Sequence, residues 1–140
     1  MKASKAALAV LLVFLGLSPA LAADSAFNGQ WMTVKGDGSL DLESIVNYKI
    51  EKKTVQMSAI TGLSYKAKVD GPDAPVAGDP NASTVSVAMP NRNVLVETSK
   101  RNGKPWQQLR MEVDSAGKSA KVTWKNFKTD KGGNYTMAKQ

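Results

Sequence analysis

From residue 27 onward, apolar and polar residues take turns along the chain in short runs, each closed by a cluster of Gly, Asn, Asp, Pro or Lys. Successive side chains of an extended strand point to opposite faces, so a period of two marks half-buried strands. Trp31 opens the first run, Gln30 to Lys35, which stops at Gly36-Asp37-Gly38. Ile45 to Glu51 groups Val46, Tyr48 and Ile50 on one side, and Val55 to Thr61 groups Val55, Met57 and Ala59. In Tyr65 to Val69, Tyr65, Ala67 and Val69 oppose Lys66 and Lys68; a short extended piece follows at Ala74 to Val76. Val85, Val87 and Met89 share a face, and Val94, Val96 and Thr98 oppose Leu95 and Glu97. Trp106 to Val113 comes next, then Ala120, Val122 and Trp124 on one face, then a closing run from Tyr135 to Ala138. Ser39 to Ser44 has no clear period and reads as a single helical turn or an irregular crossover.

The runs are joined by turn chemistry. Asp70-Gly71-Pro72-Asp73 and Asn102-Gly103 are strong examples, the latter suited to the positive φ of a tight hairpin. Nearly all connections are shorter than the dozen or so residues a parallel crossover takes, so neighbouring strands are antiparallel. A meander of nine or ten strands has exposed edges that invite aggregation, and closing the sheet removes them. The expected fold is therefore all-β: a small antiparallel up-and-down barrel of about 8–10 strands, with Trp31 plugging its closed end.

The first residues follow another pattern. Lys2 and Lys5 precede an unbroken apolar run, Ala6 to Leu17, and Ser18-Pro19-Ala20-Leu21-Ala22 ends it with small residues at the two positions a signal peptidase inspects. A membrane span needs roughly 20 apolar residues, more than this run supplies. Residues 1–22 are thus expected to be a cleaved signal peptide and 23–140 a single barrel domain. The product would be periplasmic or secreted, with no transmembrane segment after processing.

Composition narrows the chemistry. The chain has no Cys, so an exported domain must hold together by packing and backbone hydrogen bonds alone. It has no His, which removes the commonest general base and metal ligand together. Asp37, Asp41 and Glu43 cluster, but in a Gly/Ser-rich connection where solvated acids are the ordinary outcome. Asp70, Asp73 and Asp79 offer hard oxygen ligands, yet their spacing matches no calcium loop. A Ser–Lys pair cannot be singled out. No catalytic residue, metal site or cofactor is predicted, and the protein is read as non-enzymatic.

The net charge of +7 includes Lys2 and Lys5. Lys100, Arg101 and Lys104 crowd one turn, while Lys118, Lys121, Lys125, Lys128 and Lys131 follow the next hairpin. Such charge can attract an anionic partner such as phospholipid head groups or lipopolysaccharide. The plainer reading, outward lysines keeping strands soluble, is favoured, because the cations alternate with apolar residues and lack interleaved aromatics. That leaves weak contact with anionic envelope surfaces as a partner class and excludes nucleic acid.

Trp106 to Val113 is the most suggestive strand for a ligand. One face holds Leu109, Met111 and Val113; the other holds Trp106, Gln108, Arg110 and Glu112. If the first face is inward, Arg110 is an outer cation and Trp106 an exposed aromatic. If the second is inward, Arg110 could pair with a ligand carboxylate or phosphate while Trp106 supplies an apolar wall. The first arrangement is favoured, because an unpaired buried Arg is costly. Trp106, Gln108, Arg110, Tyr65 and Trp124 are the candidate ligand-binding residues.

Phe27-x-Gly29-x-Trp31 resembles the Gly-x-Trp opening of lipocalins and the wider calycin group. Tyr65-x-Ala67-x-x-Asp70-Gly71-x-Asp73-x-Pro75-Val76-x-Gly78-Asp79-Pro80 resembles a stretch found in exported bacterial lipocalin-like proteins. The chain departs from them in lacking a Pro- and Lys-rich stretch after Trp31 and a helix after the barrel. The resemblance implies a fold and a compartment rather than an activity. It leads to the expectation of a binding barrel holding a small hydrophobic or amphipathic ligand. The alternative is a protein–protein interaction or inhibitor module of the cell envelope with a filled barrel.

Overall fold

A computed structural model describes residues 24–140 of the chain; the expected signal peptide falls outside them. Ten strands follow one another: β1 (Gly29–Val34), β2 (Leu40–Glu51), β3 (Thr54–Ala59), β4 (Ser64–Lys68), β5 (Ala74–Ala77), β6 (Thr84–Asn91), β7 (Val94–Arg101), β8 (Lys104–Val113), β9 (Ser119–Asn126) and β10 (Gly132–Lys139). Each pairs antiparallel with its sequence neighbour, and β1 pairs with β10, so the sheet closes into an all-β barrel. The described residues contain no helix.

The two-residue period sets the inside. Val55, Met57, Tyr65, Ala67, Val85, Val87, Leu95, Met111, Val113, Ala120, Val122 and Met137 are buried in one continuous core. Lys66, Lys121, Thr123 and Lys125, one step out of phase on the same strands, are exposed. In β8, Met111 and Val113 are buried and Leu109 packs against the core, so the Leu109 face is the inward one.

One end is sealed. Trp31 and Phe27 are fully buried, and the Trp31 Nε1–H donates to the Phe27 carbonyl at 2.9 Å. Asn28 Oδ1 accepts from the Ile50 backbone N–H at 2.6 Å, and Lys139 Nζ donates to the Ala26 carbonyl at 2.9 Å. The turn before β1 is thereby drawn under the barrel as a floor. Trp31 contributes the largest fully buried side chain there, in the place expected of it.

The other end is different. Ser39 to Ser44, expected as a helical turn or irregular crossover, lies almost wholly within β2, which begins at Leu40. The irregularity survives as a bulge: Trp31 pairs with Val46 and Thr33 with Asp41, leaving the intervening β2 residues outside the ladder. Ser44 pins the bulge, its Oγ accepting from the Thr33 N–H at 2.8 Å and donating to the Asp41 carbonyl at 2.7 Å. A bulge bends its strand and re-aims side chains, and here it lies at the barrel rim. Leu40, Leu42, Ile60 and Phe127, the exposed large apolar residues among those described, all lie at this open end.

Strand ends also shift from the sequence expectation. β8 starts at Lys104 rather than Trp106, and β10 starts at Gly132 rather than at the expected Tyr135. Gly133 belongs there because the Trp124 indole lies where a side chain would project.

Candidate functional site

Behind the bulged rim the core does not fill the barrel. A cavity of about 280 Å³ runs from Thr33, Glu43, Ser44, Thr61 and Leu63 at the mouth to Tyr48, Met57, Leu109, Met111, Val122, Tyr135 and Met137 inside. Its size is near the lower end of the roughly 300–1,000 Å³ typical of small-molecule sites, and its lining is mainly apolar with a few polar groups, as in such sites.

The polar groups converge on Glu97. Leu95 and Glu97 are in phase on β7, so the period that buries Leu95 also carries Glu97 inward, where it is 7% exposed. Tyr48 on β2 and Tyr65 on β4 are inward for the same reason. The Tyr48 hydroxyl donates to Glu97 Oε1 and the Tyr65 hydroxyl to Oε2, both at 2.6 Å. Hydrogen bonds of 2.5–2.7 Å between oxygens are those of a charge-assisted donor to a carboxylate. A carboxylate accepts about four hydrogen bonds, so two tyrosines leave acceptor capacity on Glu97.

Burial and hydrogen bonding act on this carboxyl in opposite directions. Loss of water raises its pKa above the ordinary 4.5, while the bonds from Tyr48 and Tyr65 pull it down; desolvation is the larger effect. Burial together with the Glu97 charge drives both phenols well above their usual range, and raises Tyr135 in the same sense. All three tyrosines therefore stay protonated across the physiological range. The charged residues on the cavity wall are Glu97 deep inside and Glu43 at the mouth. Both are acidic, in a chain of net charge +7.

The structure separates the residues expected at a ligand site. Tyr65 is buried beside the cavity, bonded to Glu97. Trp124 shares the inward phase of β9 but lies over Gly133 and is not among the residues lining the cavity. Trp106, Gln108 and Arg110 lie on the opposite face of β8 from Leu109 and Met111 and do not line it either. Arg110 is about half exposed and pairs with Glu112 at 2.9 Å. Gln108 Nε2 donates to Thr98 Oγ1 at 3.1 Å on the neighbouring strand. The Arg101 guanidinium sits 4.8 Å and Lys128 Nζ 5.8 Å from the Trp106 ring centre, so Trp106 packs beneath outer cations. The favoured arrangement is thus the one present, with the Leu109 face inward and Arg110 outside the cavity. Leu109 and Met111 enter the core at a gain, whereas Arg110 there would forfeit its water.

The acidic clusters behave as separate surface features. Asp37 accepts from the Ser39 N–H and hydroxyl, bonds that lower its pKa, and Asp73 pairs with Lys100 at 2.8 Å. Among the described residues no group of three His, Cys, Asp or Glu is placed to hold a metal ion.

Glu97, Tyr48 and Tyr135 were not singled out from the sequence. The available signal was phase: a Glu one strand period from Leu95, and tyrosines in phase with the apolar residues of β2 and β10. Comparison with family models, with curated proteins and with solved structures yields no match, so the functional reading rests on this cavity.

Proposed function

We propose that the protein is an exported, non-enzymatic binding protein that holds one small amphipathic molecule inside its barrel, in the manner of lipocalin-like carriers. The observation that carries this reading is the cavity: open at one end, walled by Val46, Met57, Leu109, Met111, Val122 and Met137, and furnished with one buried polar cluster. Such a wall excludes water from an apolar body, while the cluster fixes the orientation of one polar end. The sealed opposite end makes it a cup rather than a channel. A neutral apolar fluorophore, N-phenyl-1-naphthylamine, tests the reading. It should bind with one-to-one stoichiometry and rising emission, and Ala59→Trp, which projects bulk into the cavity, should abolish the signal. Absence of saturable binding, or binding indifferent to Ala59→Trp, would refute the carrier function.

A second reading, contact with a partner protein, draws on the exposed Leu40, Leu42, Ile60 and Phe127 at the open end. Exposed apolar groups gathered in one region mark interaction surfaces. Leu42→Asp together with Ile60→Asp should leave fluorophore binding intact under the carrier reading and abolish any partner association under the other.

A further inference from the structure

We infer that the molecule held in the cavity carries a protonated amine, and that this ammonium group docks on Glu97. The inference rests on the carrier reading and specifies its ligand. The charged side chains lining the cavity are both carboxylates, Glu97 inside and Glu43 at the entrance, although cations outnumber acids over the whole chain, 19 to 12. The nearby basic groups lie elsewhere among the described residues: Arg110 is paired with Glu112, Arg101 and Lys128 lie over the outer face of Trp106, and Lys139 is held at the sealed end by the Ala26 carbonyl. A negative charge buried without a cation is costly, and the two phenol bonds offset only part of that cost.

A ligand ammonium would complete the site. It brings the missing opposite charge and three N–H donors, which suit the acceptor capacity that Tyr48 and Tyr65 leave free on Glu97. The groups around that position are equally suited to a cation. The Tyr135 ring can receive positive charge on its π face, and Met57, Met111 and Met137 supply polarizable, adaptable walls. An anionic ligand would meet the opposite conditions, facing Glu97 at the end of its path and Glu43 at the start. The favoured ligand is therefore a compact apolar body ending in a primary or secondary amine.

The test uses chain-matched competitors against bound N-phenyl-1-naphthylamine at pH 7.5: octylammonium, octanol and octanoate. Octylammonium should displace the fluorophore at least about tenfold more effectively than octanol, with octanoate the poorest, as expected for a desolvated charge pair. Glu97→Gln keeps a side chain that can bond both tyrosines, and there the preference for the amine over the alcohol should disappear while the neutral fluorophore still binds. In the unaltered protein the preference should also fade as acid protonates Glu97. The groups facing it are Tyr48, Tyr65 and Tyr135, which stay protonated throughout; Glu43→Gln controls for the remaining acid. Equal displacement by octanol, better displacement by octanoate, or an amine preference that survives Glu97→Gln would each overturn the inference. Should Glu97→Gln fail to fold, the competitor ranking on the unaltered protein still decides. Loss of fluorophore binding in the unaltered protein would instead overturn the carrier reading itself.

Discussion

Tyr48→Phe isolates the interior hydrogen bond from every other contribution to packing. The ring remains, so no cavity forms, and the only loss is a 2.6 Å bond from the Tyr48 hydroxyl to Glu97 Oε1. A hydrogen bond to a charged group contributes about 1.5–3 kcal/mol, and a neutral one about 0.5–1.5 kcal/mol. Since burial raises the Glu97 pKa and the Tyr48 bond lowers it, the substitution should raise it further. The sign for the unaltered protein follows. A folded state that keeps its proton longer than the unfolded one is favoured below the unfolded pKa, and that advantage is lost as pH rises through the folded pKa. The variant loses more over the same rise, because its carboxylate lacks one donor. Urea unfolding at pH 4 and pH 7.5 should therefore show a cost near 1 kcal/mol in acid and about 1.5–3 kcal/mol at the higher pH, with m unchanged. Repeating the substitution in a Glu97→Gln background should flatten that difference. An identical cost at both pH values, or one below about 0.5 kcal/mol throughout, would refute the assignment of an ionised Glu97 held by its two tyrosines.

Other substitutions probe the frame around the site. Arg110→Ala removes an exposed pair with Glu112 and should leave fluorophore affinity unchanged and urea stability within about 1 kcal/mol. Trp31→Ala empties the sealed end and breaks the bond to the Phe27 carbonyl; urea unfolding should show a loss of about 3–5 kcal/mol. Lys52 and Lys53 occupy the β2–β3 turn with φ of 48° and 61°, a conformation that suits Asn-Gly. Lys52→Asn with Lys53→Gly should raise stability by about 1 kcal/mol, read as a higher urea midpoint.

The barrel was readable because the strand period is strict. Val46, Tyr48 and Ile50, or Tyr65, Ala67 and Val69, could be assigned to one face from spacing alone, and turn residues showed where each strand reversed. Period does not say which face is inward. On β7 the sets are Val94, Val96 and Thr98 against Leu95 and Glu97, and side-chain chemistry alone does not rank the second as the inner one. What marks the Leu95 and Glu97 face as the inner one is the pair of tyrosines that Glu97 meets there, 49 and 32 residues away along the chain. That information is tertiary. The same limit attached interest to Arg110 and Trp106, conspicuous residues whose strand phase turns them outward. Ser39 to Ser44 resisted assignment for a local reason: a bulge breaks the alternation that marks a strand, and Ser44 holds it through side-chain bonds no period encodes.

The seam between β1 and β10 has a consequence for biogenesis. The ribbon that completes the ring, β10, lies about a hundred residues along the chain from its partner β1. Until residues 132–139 pair with β1, any partly assembled sheet ends in two raw borders and cannot become a cup. Closure must wait for residues 132–139, and bringing such distant segments together slows that step. A truncation that removes only this final ribbon should therefore cost the entire fold rather than one-tenth of it.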